Sequence, residues 1–268
     1  MKAITPAAMR IVGRMDTPVV LLLVLASFIA GWIDAVVGGG GLVLLPALLL
    51  APGIAPVEAV ATNKAAAVTG TAASSLTYYR RVRPALGTAL PTAALAATCA
   101  AGGAAVAESV PGTVLKPIVL VALVVAAAYT LLRPELGDTT TLRLSHRKHR
   151  LAAATAGAGL GFYDGIAGPG TGAFLLFLLV GGLGYAFLEA SANAKIINLG
   201  TNLGALAVFT VTGSVVWTLA PFLAVANVAG GYLGARTAIA AGSRFVRRAF
   251  LVVVAVLIAR LGWDVARL

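Results

Sequence analysis

The stretch GWIDAVVGGGGLVLLP, residues 31–46, places a carboxylate and four consecutive glycines inside an otherwise apolar segment. The stretch GFYDGIAGPGT, residues 161–171, has the same plan and aligns with it when the chain is shifted by 130 residues. The shift superposes an aspartate and three glycines of each stretch: Gly31, Asp34, Gly38 and Gly40 on Gly161, Asp164, Gly168 and Gly170. The sequence therefore predicts two repeats, each built around an interrupted apolar helix.

The composition indicates a polytopic all-α membrane protein. Of 268 residues, 60% are hydrophobic and 11% are charged, and the mean hydropathy is +0.97, whereas about a quarter of the residues in a soluble domain are charged. The net charge is +11, but Lys and Arg are concentrated between apolar runs, as in cytoplasmic loops, so the charge does not indicate a nucleic-acid partner. The single Cys99 excludes an internal disulfide and is predicted to be a small packing residue.

Ten apolar runs follow one another, at 17–37, 42–52, 57–79, 86–107, 114–132, 151–167, 172–184, 188–211, 215–236 and 245–263. Because a spanning helix needs about 20 apolar residues, the runs at 42–52 and 172–184 are predicted to be half-helices or short re-entrant segments. The predicted organisation is an N-terminal basic segment at 1–16, a first repeat at 17–132, a basic cytoplasmic linker at 133–150, a second repeat at 151–263 and a tail at 264–268.

The loop charges predict that the two repeats of about five segments have inverted topology. The loop at 80–83 carries three arginines, whereas its counterpart at 212–214 is uncharged. The loop at 236–248 carries four arginines, whereas its counterpart near Glu108 is nearly free of basic residues. Equivalent loops should then face opposite sides of the membrane. His146 and His149 lie in the linker with no carboxylate or thiol to complete a metal site, so we expect solvated histidines and no metal.

Ionisable residues within or beside the apolar runs form three pairs between the repeats: Asp34 with Asp164, Glu58 with Glu189, and Lys64 with Lys195. A central Asp or Lys costs about 2.5 to 3.5 kcal/mol on insertion, so such residues are candidates for function. For the aspartates two interpretations stay open, as proton carriers or as structural partners of the lysines or of helix-break amides. The glutamates follow short loops and fit interfacial positions in a first helical turn.

The two glycine clusters, GGGG at 38–41 and GPGTG at 168–172, are expected to break their helices. Irregular backbone at membrane depth has to line protein or a water-filled cavity, and the free amides of a half-helix N-terminus attract an anion. The alternative is close helix packing, for which Gly157, Gly161 and Gly165 form overlapping GxxxG patterns.

Donors on the following helices complete the predicted anion site. Lys195, Asn198 and Asn202 share one helix face, with Lys64, Ala67 and Thr71 as their equivalents. The predicted substrate-binding residues are Gly38, Gly39, Gly40, Gly41, Thr62, Asn63, Lys64, Gly168, Gly170, Thr171, Gly172, Asn193, Lys195, Asn198 and Asn202, with Asp34 and Asp164 as proton-coupling candidates. No cofactor is indicated.

The segments GWIDAVVGGGGLVLLPALLL, ATNKAAAVTGT and GFYDGIAGPGTGAFLL closely resemble the TauE/SafE family of sulfite exporters, over about residues 17–263. The resemblance implies a multi-pass inner-membrane permease for sulfite, organosulfonates or related small anions, with proton-coupled alternating access. It also assigns the functional role to most of the site residues named above.

Alternatives to this transporter are an anion channel, a carrier of non-sulfur carboxylates, a membrane enzyme and a scaffold. An enzyme is disfavoured because the chain has no HExxH, G-x-S-x-G or complete Walker A sequence. A scaffold leaves the duplicated charges unexplained. The oligomeric state is not predicted.

Overall fold

The computed structural model describes residues 17–107, 130, 132, 137–166 and 168–265, and within these residues it contains helices and no strands. The helices are α1 (Thr17–Val37), α2 (Gly41–Leu49), α3 (Pro56–Val82), α4 (Leu86–Ala105), α5 (His146–Ile166), α6 (Thr171–Phe177), α7 (Phe187–Val211) and α8 (Ala220–Val265). The prediction of an all-α protein is confirmed.

The two short runs form short helices. Helix α2 has nine residues and α6 has seven, after which a π-helical turn continues to Gly182. At 1.5 Å per residue, α2 is about 14 Å long, roughly half of the hydrocarbon core. Each follows a break at a glycine cluster, as predicted.

Helix α8 contains two of the predicted apolar runs, separated by a left-handed residue at Gly242. The second half of the chain therefore has the five predicted segments. In the first half, the run at 114–132 lies outside the described residues, apart from 130 and 132. One boundary differs from the prediction, because helix α5 begins at His146 rather than after a linker that reaches residue 150.

The helices of the two halves pack reciprocally. Helix α1 packs on α8 and α5 on α4, while α3 packs on both α7 and α8. The amide of Val216, just after α7, donates to Thr62 near the start of α3 at 3.0 Å. The amide of Ala85, just after α3, donates to Asn193 near the start of α7 at 2.9 Å. These contacts show that the equivalent helices α3 and α7 run antiparallel, which is the arrangement that an inverted repeat requires.

Left-handed backbone recurs at repeat-related positions. Gly38 and Gly168 have φ of +83° and +82°, and Gly53 and Gly184 have φ of +78° and +87°. Arg83, the one non-glycine residue with positive φ among those described, corresponds to the left-handed Gly213. The two halves thus share turns as well as helices, although their inverted orientation in the membrane stays a prediction.

Three helices among the described residues are long and apolar enough to cross a membrane, namely α1, α4 and α7. On α1 the large apolar side chains of Leu21, Leu22 and Leu25 are 63%, 65% and 54% exposed. Buried positions on the same helix include Ser27 and Gly31, which face α8. This pattern of apolar outside and small or polar inside suits a helix surrounded by lipid.

Candidate functional site

The two helix breaks meet inside the protein. The Gly38 backbone touches that of Gly172, and the amide of Ala173 donates to the Gly38 carbonyl at 3.1 Å. A β-carbon at Gly41 would lie 3.8 Å from the Cα atom of Pro169. Gly38 is needed for two reasons, its left-handed φ and its contact with Gly172, since any side chain would collide with that backbone.

Side chains outside the predicted site satisfy carbonyl groups at the breaks. Tyr78 donates to the carbonyl of Ala35 at 2.9 Å, and Ser191 donates to that of Val36 at 3.2 Å. Tyr163 donates to the carbonyl of Pro169 at 2.7 Å. These bonds replace those lost where a helix ends inside the protein. Of the three residues, only Tyr163 could have been identified from the sequence, because it directly precedes Asp164 in the glycine motif.

The first break leaves backbone donors available. The amides of Val43 and Leu44 donate to the carbonyl of Gly40, but the amides of Gly39, Gly40 and Gly41 donate no hydrogen bond within the described part of the chain. Gly39 and Gly40 are buried. Such donors at the N-terminus of α2 are the features expected of an anion-binding break.

The intramembrane charges pair crosswise between the halves. The Nζ atom of Lys64 lies 2.6 Å from Oδ2 of Asp164, and Nζ of Lys195 lies 2.8 Å from Oδ2 of Asp34. In the first pair the side chains are 2% and 3% exposed, whereas Asp34 in the second is 16% exposed. Both pairs adjoin a break: a β-carbon at Gly168 would lie 3.0 Å from Nζ of Lys64, and one at Gly40 would lie 2.7 Å from Cβ of Asp34. Each pair therefore lies at one of the two breaks, and we call these two lysines and two aspartates the charge cluster.

Amide side chains extend this cluster. Lys64 donates to Oδ1 of Asn202 at 3.1 Å, and Asn202 donates to Thr71 at 3.3 Å. Thr71 and Asn202 are repeat equivalents, so this bond joins α3 and α7 where their pseudo-twofold axis would pass. The Nδ2 atom of Asn63 lies 3.6 Å from a β-carbon built at Gly41, and the Asn63 side chain makes no hydrogen bond with the described residues. Its amide is available beside the first break.

Four other predicted site residues form hydrogen bonds that stabilise loops, a helix break or their own helix instead. Thr62 and Asn193 hold the loops that follow α7 and α3. Thr171 donates to the carbonyl of Gly168 at 2.9 Å, within its own break. Asn198 accepts from Thr201 at 3.2 Å on its own helix. Among the described residues, none of these four forms a hydrogen bond with the two lysines or the two aspartates.

Three further residues lie at helix ends. Glu58 is in the first turn of α3 and accepts from the amide of Ala55 at 2.8 Å, and Glu189 is in the first turn of α7, as the interfacial interpretation expected. The expectation of solvated histidines is wrong for His149, which is 4% exposed and has Nε2 2.9 Å from the Tyr185 hydroxyl. Because α5 begins at His146, His149 lies in the first turn of that helix and faces Tyr185 rather than solvent.

A helical protein with paired charges at two opposed helix breaks has the features of a membrane transporter. The chain matches the sulfite exporter TauE/SafE family over residues 23–261 and belongs to it.

The GxxxG glycines of α5 also have the packing role considered for them, since Gly161 and Gly165 face the carbonyls of Ala96 and Ala100 on α4.

Similar proteins carry names of the same class. The chain is 37% identical to the "Probable membrane transporter protein ORF9" of Sinorhizobium sp over 239 residues, 89% of this chain and 90% of that protein. It is 33% identical over 252 residues to the "Probable membrane transporter protein YfcA" of Escherichia coli (strain K12), covering 93% and 92% of the two chains. No solved structure matches the chain. The family and these relatives are membrane transporters and not enzymes.

Proposed function

We propose that this transporter carries small oxyanions, with sulfite and organosulfonates as the leading substrates, by proton-coupled alternating access in a bacterial inner membrane. The observation that carries the proposal is the charge cluster: two crosswise ion pairs, one of them fully buried, beside backbone amides that donate no hydrogen bond to any described residue. The family description supports a sulfur oxyanion. The bacterial sources of the relatives support the location.

The anion site lies between the first break and the lysines. The amides of residues 39–41 and the Asn63 side chain supply neutral donors for oxyanion oxygens, while Lys64 and Lys195 supply positive charge. Charge-assisted hydrogen bonds to an oxyanion are stronger than neutral ones. Because both lysines are already paired with carboxylates, a substrate binds by taking the place of an aspartate on a lysine.

This exchange links anion binding to protons. The two lysines and two aspartates together have a formal net charge of zero. An added anion would leave an uncompensated negative charge in a medium of low dielectric, which is costly. Protonation of the displaced aspartate restores neutrality. We therefore propose one proton for each negative charge of the bound anion, which makes transport electroneutral.

The inequality of the two ion pairs supports alternating access. The pairs are equivalent by sequence, yet Asp34 is 16% exposed and Asp164 is 3% exposed. Equivalent groups in unequal environments are expected when an inverted repeat adopts one of two related conformations. In the second conformation the two pairs exchange environments.

Purified protein in proteoliposomes tests the proposal. An outward or inward pH gradient should drive uphill, saturable movement of sulfite or methanesulfonate, with no net current. Lys64→Ala and Lys195→Ala should each abolish substrate-induced thermal stabilisation, while Lys148→Ala, an exposed lysine on α5, should not. Unchanged anion affinity in both site variants would remove the lysines from the mechanism.

The same assays separate the two alternatives. A carboxylate carrier uses the same amides and lysines, so acetate competing as well as methanesulfonate would redefine the substrate class. Flux that does not saturate and that follows the membrane potential would indicate a channel instead. A channel needs a continuous pore. The ion pairs join the two halves at the breaks, and α3 and α7 run antiparallel as in an inverted repeat, so we favour a carrier.

A further inference from the structure

A groove separate from the charge cluster runs between α3 and α8. Its volume is about 640 Å³, and its floor is apolar, including Ala73, Leu76 and Val228. Leu76 is 51% exposed and Val228 is 40% exposed. Three exposed arginines line the same groove: Arg80, Arg81 and Arg236. We call this feature the arginine groove.

The arginines mark one end of the groove. Thr69 on α3 donates to the carbonyl of Ala224 on α8 at 3.1 Å. The arginines of the groove follow this contact towards the C-terminus on both helices, so the two helices run parallel here. Tyr79 and Tyr232, which are 51% and 44% exposed, lie at the arginine end. Tyrosines and arginines together are typical of the membrane–water interface. The apolar floor then extends from the interface into the hydrocarbon.

One guanidinium is held in place. Nη1 of Arg236 donates to the hydroxyl of Tyr232 at 3.2 Å, and the guanidinium carbon lies 5.6 Å from the centre of that ring. A positioned guanidinium loses less side-chain entropy when it binds an anion. None of the lining residues that the structure describes is acidic, so the positive charge of the three arginines is not compensated within the groove.

We propose that the arginine groove binds an anionic diacyl phospholipid, with its phosphate between the three guanidiniums and an acyl chain along the apolar floor. Guanidinium groups bind phosphate in bidentate geometry, and basic pockets between helices at the cytoplasmic interface suit anionic headgroups. The charge distribution selects this occupant. A zwitterionic lipid lacks the net charge, and a second copy in a symmetric contact would bring further arginines into the groove.

The bound lipid joins two helices of the transport machinery. Helix α3 carries Lys64, and α8 packs against α1, which carries Asp34. A lipid that contacts both sides of the groove stabilises the conformation in which α3 and α8 are apposed. Its binding is therefore expected to raise the midpoint of thermal unfolding.

The test uses the full-length purified protein in detergent, with phosphatidylglycerol and phosphatidylcholine of identical acyl chains. Native mass spectrometry counts bound lipid, and a thermal-unfolding assay measures stabilisation. The groove variant is Arg80→Gln/Arg81→Gln/Arg236→Gln. The matched control, Arg147→Gln/Lys148→Gln/Arg150→Gln, removes the same charge from exposed positions at the start of α5.

We expect phosphatidylglycerol to bind the wild type and the control variant, and to bind the groove variant about 100-fold more weakly, because each of the three arginines near an anionic lipid contributes about a fivefold factor. Ala73→Trp fills the floor without changing the charge and should also weaken binding. Neither change alters a residue of the charge cluster. The midpoint of thermal unfolding without lipid shows whether each variant is folded.

Other results would overturn the proposal. Equal loss in the control variant would mean diffuse charge attraction, and equal binding of phosphatidylcholine would mean a non-selective apolar surface. Full competition by sn-glycerol 3-phosphate would assign the arginines to a free phosphate. A change in dimer population in the groove variant, with lipid binding unchanged, would assign the groove to a second copy of the chain.

Discussion

Replacing Lys64 by Met removes one partner of the drier ion pair and leaves the other alone. Lys64 and Asp164 are 2% and 3% exposed and 2.6 Å apart. Breaking a buried pair in this way costs about 3 to 5 kcal/mol, because a charge is left uncompensated. Neutralisation by a proton limits the penalty: at pH 7, about three units above the pKa of an ordinary aspartic acid in water, holding that proton costs about 4 kcal/mol.

Because a proton can neutralise the unpaired aspartate, the stability of Lys64→Met should depend on pH in a distinctive way. When the proton replaces the ammonium group, the folded variant binds one proton more than the unfolded chain, so its stability falls as pH rises. Relative to the wild type at the same pH, the penalty should shrink by about 1.4 kcal/mol for each unit of acidification, or about 3 kcal/mol between pH 7 and pH 5. Unfolding in mixed micelles with increasing fractions of dodecyl sulfate measures the free energy at both values.

Two companion variants isolate the cause. Lys64→Met/Asp164→Leu removes both charges, and replacement of a buried pair by apolar residues is often neutral or stabilising, so it should be more stable than Lys64→Met at pH 7. Lys195→Met should cost less than Lys64→Met, because its partner Asp34 is 16% exposed and partly hydrated. A Lys64→Met penalty that is the same at pH 5 and pH 7, or smaller than that of Lys195→Met, would refute this account of the cluster.

Three further predictions concern the surroundings of the cluster. Gly38→Ala should lose at least about 2 kcal/mol, from left-handed strain and contact with the opposite break, while Gly102→Ala, whose β-carbon would meet no atom within 4 Å, should gain up to about 1 kcal/mol in the same unfolding assay. Asn193→Ala should lose about 1 to 3 kcal/mol of stability through its unpaired loop amide but keep the wild-type anion affinity in calorimetry. Burial, with a smaller effect of the nearby His146 charge, lowers the pKa of His149 at the N-terminal end of α5, so the folded state should lose stability as pH falls below about 6.5, and His149→Gln should flatten that decline.

The paired motifs were sufficient to predict the helical class, the short helices and the two breaks. A cluster of glycines in an apolar run disfavours helix locally, so its consequence can be deduced without knowledge of the rest of the chain. The equivalence of Gly38 and Gly168 also followed from the 130-residue shift, and their φ values differ by only one degree. Local chemistry repeated at a fixed spacing is the information that a sequence carries most directly.

The partners of the charged residues were not predictable in the same way. The alignment pairs Asp34 with Asp164, but the structure pairs each aspartate with the lysine of the opposite half. Which of two chemically suitable lysines lies nearer depends on the antiparallel packing of α3 and α7, a property of the tertiary structure. For the same reason Asn193, an apparent site residue beside Lys195, turned out to hold the loop after α3.

The crosswise pairing also bears on the two interpretations of Asp34, as a structural tether or as a proton carrier. In the structure the carboxylate holds Lys195 at 2.8 Å and so ties the first repeat to the second. An anion that takes that lysine has to release the carboxylate, and a released carboxylate among buried helices is stable only when it is protonated. In the mechanism proposed above, the tether therefore becomes the proton carrier in the step that opens it. Since Asp34 is the more exposed of the two aspartates, we infer that in this conformation the exchange begins at the Asp34–Lys195 pair.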